Sequence, residues 1–215
     1  MTQQPRTRRS QEERTAETRE ALIDAAIATI HELGYQAAST TLIAERAGVS
    51  RGAILHQFGT RAALMAEVVA EVYRREMDIY NRLVTQEQQG RNIHEWPKIL
   101  MDVLGMPSGI AVLEILLASQ SDKDLTETVR NRQAEVEEAA LVTMRADLGG
   151  KAESAMAVKR LMVWAVRGLS IANRVVPGGI DTATPIGLLS ELLKMAAPGG
   201  SVDELEGLIA QGKGQ

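Results

Sequence analysis

Nowhere in its 215 residues does the chain alternate apolar and polar side chains with period two for long enough to make a strand, so every apolar face it buries must be helical. From residue 14 to 33, Leu22, Ile23, Ala26, Ile27 and Ile30 recur at three- and four-residue spacing, and Gly34 stands where that helix ends. Two short helices follow, at 42–47 and 51–58, each opened by hydroxyl residues (Ser39, Thr40 and Thr41, then Ser50) and joined through Gly48 and Val49. A long periodic segment from Thr60 to about residue 89 then runs through Leu64, Val68, Val72, Ile79 and Leu83. Further helices are predicted over 94–104, 108–120, 122–148, 153–176, 185–197 and 201–211, separated by glycine, proline and serine breaks. The expected fold is all-α. Six aromatic residues would leave an all-β core short of rings, whereas 45% apolar residues suffice for a helical one.

Composition narrows the chemistry further. With no cysteine, disulfides, thiolate zinc sites, iron–sulfur clusters and cysteine nucleophiles are excluded. The most apolar run, residues 109–118, is broken by Glu114, so no membrane span is expected, and the arginines at 6, 8 and 9 lead into glutamates rather than the apolar stretch of a signal peptide. Enzyme signatures also fail. None of the three histidines has the spaced carboxylate of a di-iron bundle, Gly150-Lys151 lacks the rest of a phosphate-binding loop, and Gly168-Leu169-Ser170 lacks the closing glycine of a nucleophile elbow. The net charge of −4 at first argues against a nucleic-acid partner. Divided at residue 61, it reads differently: eight cations against seven anions in the first part, sixteen against twenty-one in the rest.

The segment from Thr40 to Phe58 has helix-turn-helix spacing, with Ala44 small where two helices cross, Gly48 in the turn, and Val49 and Ile54 filling the angle between them. The second helix, about eight residues at roughly 1.5 Å each, is close to the roughly 12 Å width of a major groove. Together with Thr60, Arg61 and Leu64, this stretch resembles the N-terminal signature of the TetR family of bacterial transcriptional regulators, from about residue 14 to 64. The resemblance implies that Thr40 and Thr41 open the first helix of the motif towards phosphates, that Arg51, Gly52 and Ala53 face base edges with Ser50 beside them at the exposed, DNA-binding start of the second helix, and that His56, Thr60 and Arg61 clamp the backbone. Leu55 and Gln57 stand where the family commonly has aromatic residues. Leu55 cannot donate to phosphate and could pack on a thymine methyl, whereas Gln57 could still donate. Arg51 is either a guanine reader or a phosphate contact, and Arg46 is a further cation of the head.

The resemblance also divides the chain into a flexible basic arm (1–13), a helix-turn-helix DNA-binding domain (14–61), and a ligand-binding and dimerisation bundle (62–215). The expected effector pocket is assembled from Trp96, Leu100, Met101, Leu104, Met106, Ile110, Leu113, Glu114, Leu117, Met144 and Trp164, with Glu114 a possible polar anchor. The expected dimer seam is Leu161, Ala165, Gly168, Ala172 and Val175, together with Leu188 and Leu192. Arg160, Arg167 and Arg174 form a basic strip that either pairs with Glu135, Glu137 and Glu138, meets solvent, or holds an anionic effector. The function so implied is that of a cytoplasmic, homodimeric, DNA-binding regulator and repressor. It would be released from a palindromic double-stranded operator by a small, largely apolar effector, without enzyme activity, cofactor or metal. The alternative is an all-α ligand-binding or adaptor bundle whose helix-turn-helix is only structural.

Overall fold

The computed structural model describes residues 11–86 and 90–212, and among them every regular element is helical. In order these are α1 (Gln11–Leu33), α2 (Thr40–Arg46), α3 (Arg51–Phe58), α4 (Arg61–Gln86), α5 (Trp96–Leu104), α6 (Pro107–Ala118), α7 (Lys123–Leu148), α8 (Ala152–Val175), α9 (Ala183–Ala196) and α10 (Glu206–Gly212). Single 3₁₀ turns, Ile93–Glu95 and Val202–Leu205, lead into α5 and α10, so two segments expected as single helices each begin with a tighter turn. Both turns are held by capping boxes, Asn92 with Glu95 and Ser201 with Glu204. Helix α1 begins at Gln11, three residues before the predicted start. The arm arginines at 6, 8 and 9, and the end of the long helix beyond Gln86, lie outside the described residues.

Two apolar cores stack along the molecule. The first is built by Leu22, Ile23, Ala26 and Ile30 of α1, Ile43 and Ala44 of α2, Ile54 of α3, and Leu64, Met65, Val68 and Val72 of α4. It is closed from below by Ala111, Val112 and Ile115 of α6, and by Leu125 and Val129 of α7. The helix-turn-helix head therefore does not seal itself at residue 61. At about 1.5–3 kcal/mol for each fully buried large side chain, those body residues are a substantial share of what holds the head in place.

The second core joins Tyr80 of α4 to Trp96, Ile99 and Val103 of α5, Met144 and Leu148 of α7, Val158, Met162 and Val166 of α8, and Ile186 and Leu193 of α9. Trp96 anchors it twice, donating Nε1–H to the carbonyl of Gly90 at 3.0 Å and meeting Tyr80 with ring centroids 5.4 Å apart.

Polar ties fasten α1 to α4 and α8, and α4 to α7. Glu67 of α4 takes Arg19 of α1 at 2.5 Å and Arg132 of α7 at 3.3 Å, while Arg75 of α4 takes Asp24 of α1 at 2.6 Å. Arg174 near the end of α8 donates to the carbonyl of His31 at the end of α1. No single helix among the described residues is long and apolar enough to cross a membrane. α5 with its preceding turn, taken with α6, passes that test only as a pair bent by 83°.

Candidate nucleic-acid interface and effector cavity

The turn between α2 and α3 follows from its residues. Ser39 caps α2 by accepting the N–H of Leu42 at 3.2 Å, and the chain leaves α2 through Gly48, whose φ of +69° would strain a residue carrying a Cβ. The N–H of Val49 then bonds the carbonyl of Ala44 at 3.0 Å, which brings α3 across α2. Ala44 is 2% exposed and Ile54 1%, so the small residue and the angle-filling isoleucine sit where the spacing requires them.

With Ile54 inside and Ala53 and Phe58 packed against the same core, Arg51, Gly52, Leu55 and His56 make the outer face of α3. Leu55 is 64% exposed, an apolar side chain presented on an otherwise polar surface. Ser50 is exposed at the N-cap and its hydroxyl makes no capping bond, while Thr41 is exposed and Thr40 half-buried at the start of α2.

Three residues of the sequence-derived set are occupied within the fold. Arg61 donates from Nε to the carbonyl of Ala38 at 3.2 Å, from Nη1 to the hydroxyl of Tyr35 at 2.7 Å, and from Nη2 to the carbonyl of Tyr35 at 2.9 Å, while lying 4.1 Å over the Tyr35 ring. It clamps the loop between α1 and α2, so the expected backbone-clamping guanidinium is largely spent on the protein. Gln57 donates to the carbonyl of Thr15 at 3.2 Å and ties α3 to α1. Thr60 accepts the N–H of Ala63 at 3.0 Å and starts α4. Arg46, counted with the cations of the head, pairs with Glu32 at 2.7 Å.

One contributor is missing from the sequence-derived set. Gln11, Arg14, Thr15 and Thr18 of α1 border a groove whose other wall is Gly52, Ala53, His56 and Gln57 of α3. The first turns of α1 therefore share a surface with the second helix of the motif. The only sequence signal for this was the unusually polar start of α1, which reads equally well as a solvated end.

Beside the second core, with Leu116 on the side of the first, lies a cavity of about 140 Å³. Helix α4 lines it with Tyr73, Glu76, Met77 and Tyr80; α5 with Trp96, Leu100, Val103 and Leu104; α7 with Gln133, Val136, Glu137, Ala140 and Thr143; and α8 with Lys159, Arg160, Val163, Trp164 and Arg167. Leu116 is the contribution of α6. Of the sequence-derived pocket residues, Trp96, Leu100, Leu104 and Trp164 are brought together there. Met144 is fully buried in the second core, Ile110 and Leu113 are buried elsewhere on α6, Met101 is half-buried beside the second core, and Met106 and Leu117 are exposed at 41% and 59%.

Glu114 is corrected outright: its Oε2 accepts the N–H of Tyr35 at 2.6 Å, so it serves the α1–α2 loop and not the cavity. The expected basic strip also separates. Arg160 lies 3.6 Å from Glu137, Arg174 bonds His31, and Arg167 turns inward. Helical spacing placed the three on one stripe but could not show which neighbour covers its middle.

On the expected dimer seam, Leu161, Gly168, Val175, Leu188 and Leu192 are exposed, with Leu161 at 61% and Leu188 at 60%. Ala165 and Ala172 are half-buried on its flank, and Trp164, Ile171 and Met195 extend the exposed apolar surface.

A short helix pair presenting one outer face, seated on a helical bundle with a partly open cavity, defines the class of protein. Residues 22–68 match the family model described as bacterial regulatory proteins, tetR family. An uncharacterised HTH-type transcriptional regulator of Mycobacterium tuberculosis is 35% identical over 124 residues, 57% of this chain and 64% of that protein, so the chain spans less than two thirds of this relative's length. The regulator BetI of Vibrio campbellii is 42% identical over 53 residues, 25% of this chain and 27% of its own.

Over residues 22–68 the chain is similar to the TetR family. Its fold is similar to that of a TetR-family member from Streptomyces coelicolor A3, with TM-score 0.58, 23% identity, and coverage of 83% of this chain and 97% of the other. A transcriptional regulator from Rhodococcus sp. Rha1 aligns with TM-score 0.62 and 18% identity over 84% and 96%. The multidrug binding protein EbrR, solved with imidazole, aligns with TM-score 0.55 and 22% identity over 82% and 93%.

Proposed function

We propose that the chain is a DNA-binding transcriptional regulator, a repressor that holds a palindromic operator as a homodimer and releases it when a small effector enters the cavity. The observation that carries the reading is the two-sided character of α3: Ile54 is buried behind it while Ser50, Arg51, Gly52, Leu55 and His56 face outward. On that face Arg51 reads a guanine edge, Leu55 meets a thymine methyl, and Ser50, Thr41 and Arg14 approach phosphates. Arg61 and Gln57 act indirectly by fixing the angle of α3 and the loop beside it.

The exposed apolar stripe on α8 and α9 supports a second copy docking there, which would set two α3 helices one helical turn of DNA apart, about 34–36 Å. The effector reading rests on the cavity and on the likeness to EbrR. Helices α4 and α6 each contribute to the cavity and to the core beneath the head, so a ligand that shifts either one moves α3. A mobility-shift titration with the DNA upstream of the chain's own gene tests the proposal: a saturable, salt-sensitive band is expected, and equal affinity for unrelated DNA would remove it. Leu188→Glu with Leu192→Glu should yield a monomer in analytical ultracentrifugation and lose operator binding; a wild-type chain that sediments as a monomer at micromolar concentration would contradict the docking.

A further inference from the structure

The cavity contains two groups that an apolar guest would leave unserved. Oε1 of Glu76 and Nη1 of Arg167 are both buried, both residues line the cavity, and among the described residues neither atom has a hydrogen-bond partner and no ion pair joins the two. A buried ionic group without a partner is costly, and the cost is relieved when something else fills the space with complementary charge.

The groups around the pair show what is missing. Among the lining residues α7 brings one charged group, Glu137, already 3.6 Å from Arg160 and with its carbonyl accepting Lys159 at 3.1 Å, while behind the lining Asp147 of α7 accepts the hydroxyl of Tyr80. From α8 come Lys159, Arg160 and Arg167; from α4 come Glu76 and the phenols of Tyr73 and Tyr80; the α5 and α6 walls are apolar. Among the lining residues three cations face two carboxylates, and Arg167 cannot shed its charge. Burial pushes the Glu76 carboxyl up to about 7 even though Arg167 acts in the opposite direction, so this is the group that gives way. The cavity is partly open, with the lining Trp164 half exposed, and its interior of about 140 Å³ is close to the roughly 150 Å³ of a cavity that holds one benzene, so the part of a guest it buries is about one ring.

We propose that the cavity binds a small amphipathic carboxylate about one ring in size, its carboxylate held between the guanidinium of Arg167 and the carboxyl of Glu76 and its ring among Trp96, Leu100 and Val163. The inference rests on the effector reading of the cavity and deepens it. Because Glu76 donates to the ligand only when protonated, binding takes up a proton from solvent wherever the free protein has lost it, and affinity falls as pH rises past neutrality.

Calorimetry on the full chain tests this with benzoate, benzyl alcohol and benzylamine at about pH 6 and about pH 8, bracketing the Glu76 titration. Benzoate should bind at least about tenfold more tightly than the alcohol, as a charge-assisted hydrogen bond implies, and more weakly at the higher pH. Arg167→Met should remove the benzoate advantage and leave the alcohol unchanged, and Glu76→Gln should keep benzoate binding while abolishing its pH dependence; thermal melts would verify that both variants fold. If the alcohol or the amine binds as well as benzoate, or Arg167→Met changes nothing, the carboxylate assignment is overturned while the cavity remains a binding site. Binding of none of the three would remove the effector reading as well.

Discussion

Helix α3 and the cavity use charged residues in opposite ways. On α3, Arg51 and His56 stand in water, and the residue that stabilises the helix, Ile54, lies on the other side of it. The proposed DNA-reading face and the packed face are separate sides of eight residues, so each can be altered without the other. In the cavity, Glu76 and Arg167 are surrounded by the packing that holds α4 against α7 and α8, and any change to them is felt by the fold. The surface site is thus a matter of what is displayed, and the buried one of what is left uncompensated. The same contrast divides the arginines of the head: Arg51 faces outward, whereas Arg61 makes three hydrogen bonds inward to Tyr35 and Ala38.

Mutations can break or sharpen this division. The largest effect should come from Ile54→Ala, a loss of about 2–5 kcal/mol in denaturant unfolding, because the cavity it opens lies at the centre of the packing of α3 on the first core. Next comes the arginine pair. Arg61→Ala should lower stability by about 1–3 kcal/mol, since it strips the hydrogen bonds from a buried tyrosine, while Arg51→Ala should leave the melting temperature unchanged and lower discrimination between operator and unrelated DNA by about 1–3 kcal/mol. If the two variants behave alike in both assays, the separation of faces is wrong.

Stability against pH probes the buried side. The Glu76 carboxyl is raised from 4.5 to about 7, so the folded chain keeps its proton more tightly than the unfolded chain. Its contribution is full below the unfolded value, declines as pH rises towards 7, and is level beyond. Over that window wild-type stability should fall by on the order of 1–3 kcal/mol, a slope that Glu76→Gln should flatten. The smallest effect belongs to Arg46→Ala, at most about 1 kcal/mol in stability and little in DNA affinity, because its exposed pair with Glu32 is screened by solvent.

The head was legible from sequence because its constraints are local. Ala44, Gly48, Val49 and Ile54 are fixed by the geometry of one turn, and their spacing survives in the chain as written. Helix boundaries followed for the same reason, missing mainly the extra turn before Arg14 and the 3₁₀ entries held by Asn92 and Ser201. The cavity was legible only in part. Trp96, Leu100, Leu104 and Trp164 were found because large apolar residues mark helix interiors, but methionine content misled: Met144 fills a packed core and Met106 faces solvent.

Glu114 and Arg61 show the remaining difficulty. Each looked available, one to a ligand and one to DNA, and both are bound to Tyr35 across separations of 79 and 26 residues. Periodicity says which face a residue is on, not which distant loop comes to meet it. Arg167 is the converse case: it belongs to an apparent surface strip yet lines the cavity, its guanidinium 5.9 Å from the centre of the Trp164 ring.

The central claim is that the outer face of α3 reads DNA. A fluorescence-anisotropy titration of the full chain against its own upstream DNA and a scrambled duplex of equal length, for wild type and Arg51→Ala side by side, measures it most directly. The account predicts tight saturable binding to the upstream duplex, weaker binding to the scrambled one, and a preference that falls about tenfold or more in the variant. Equal binding to both duplexes by the wild type, or a preference unchanged in Arg51→Ala, would contradict it.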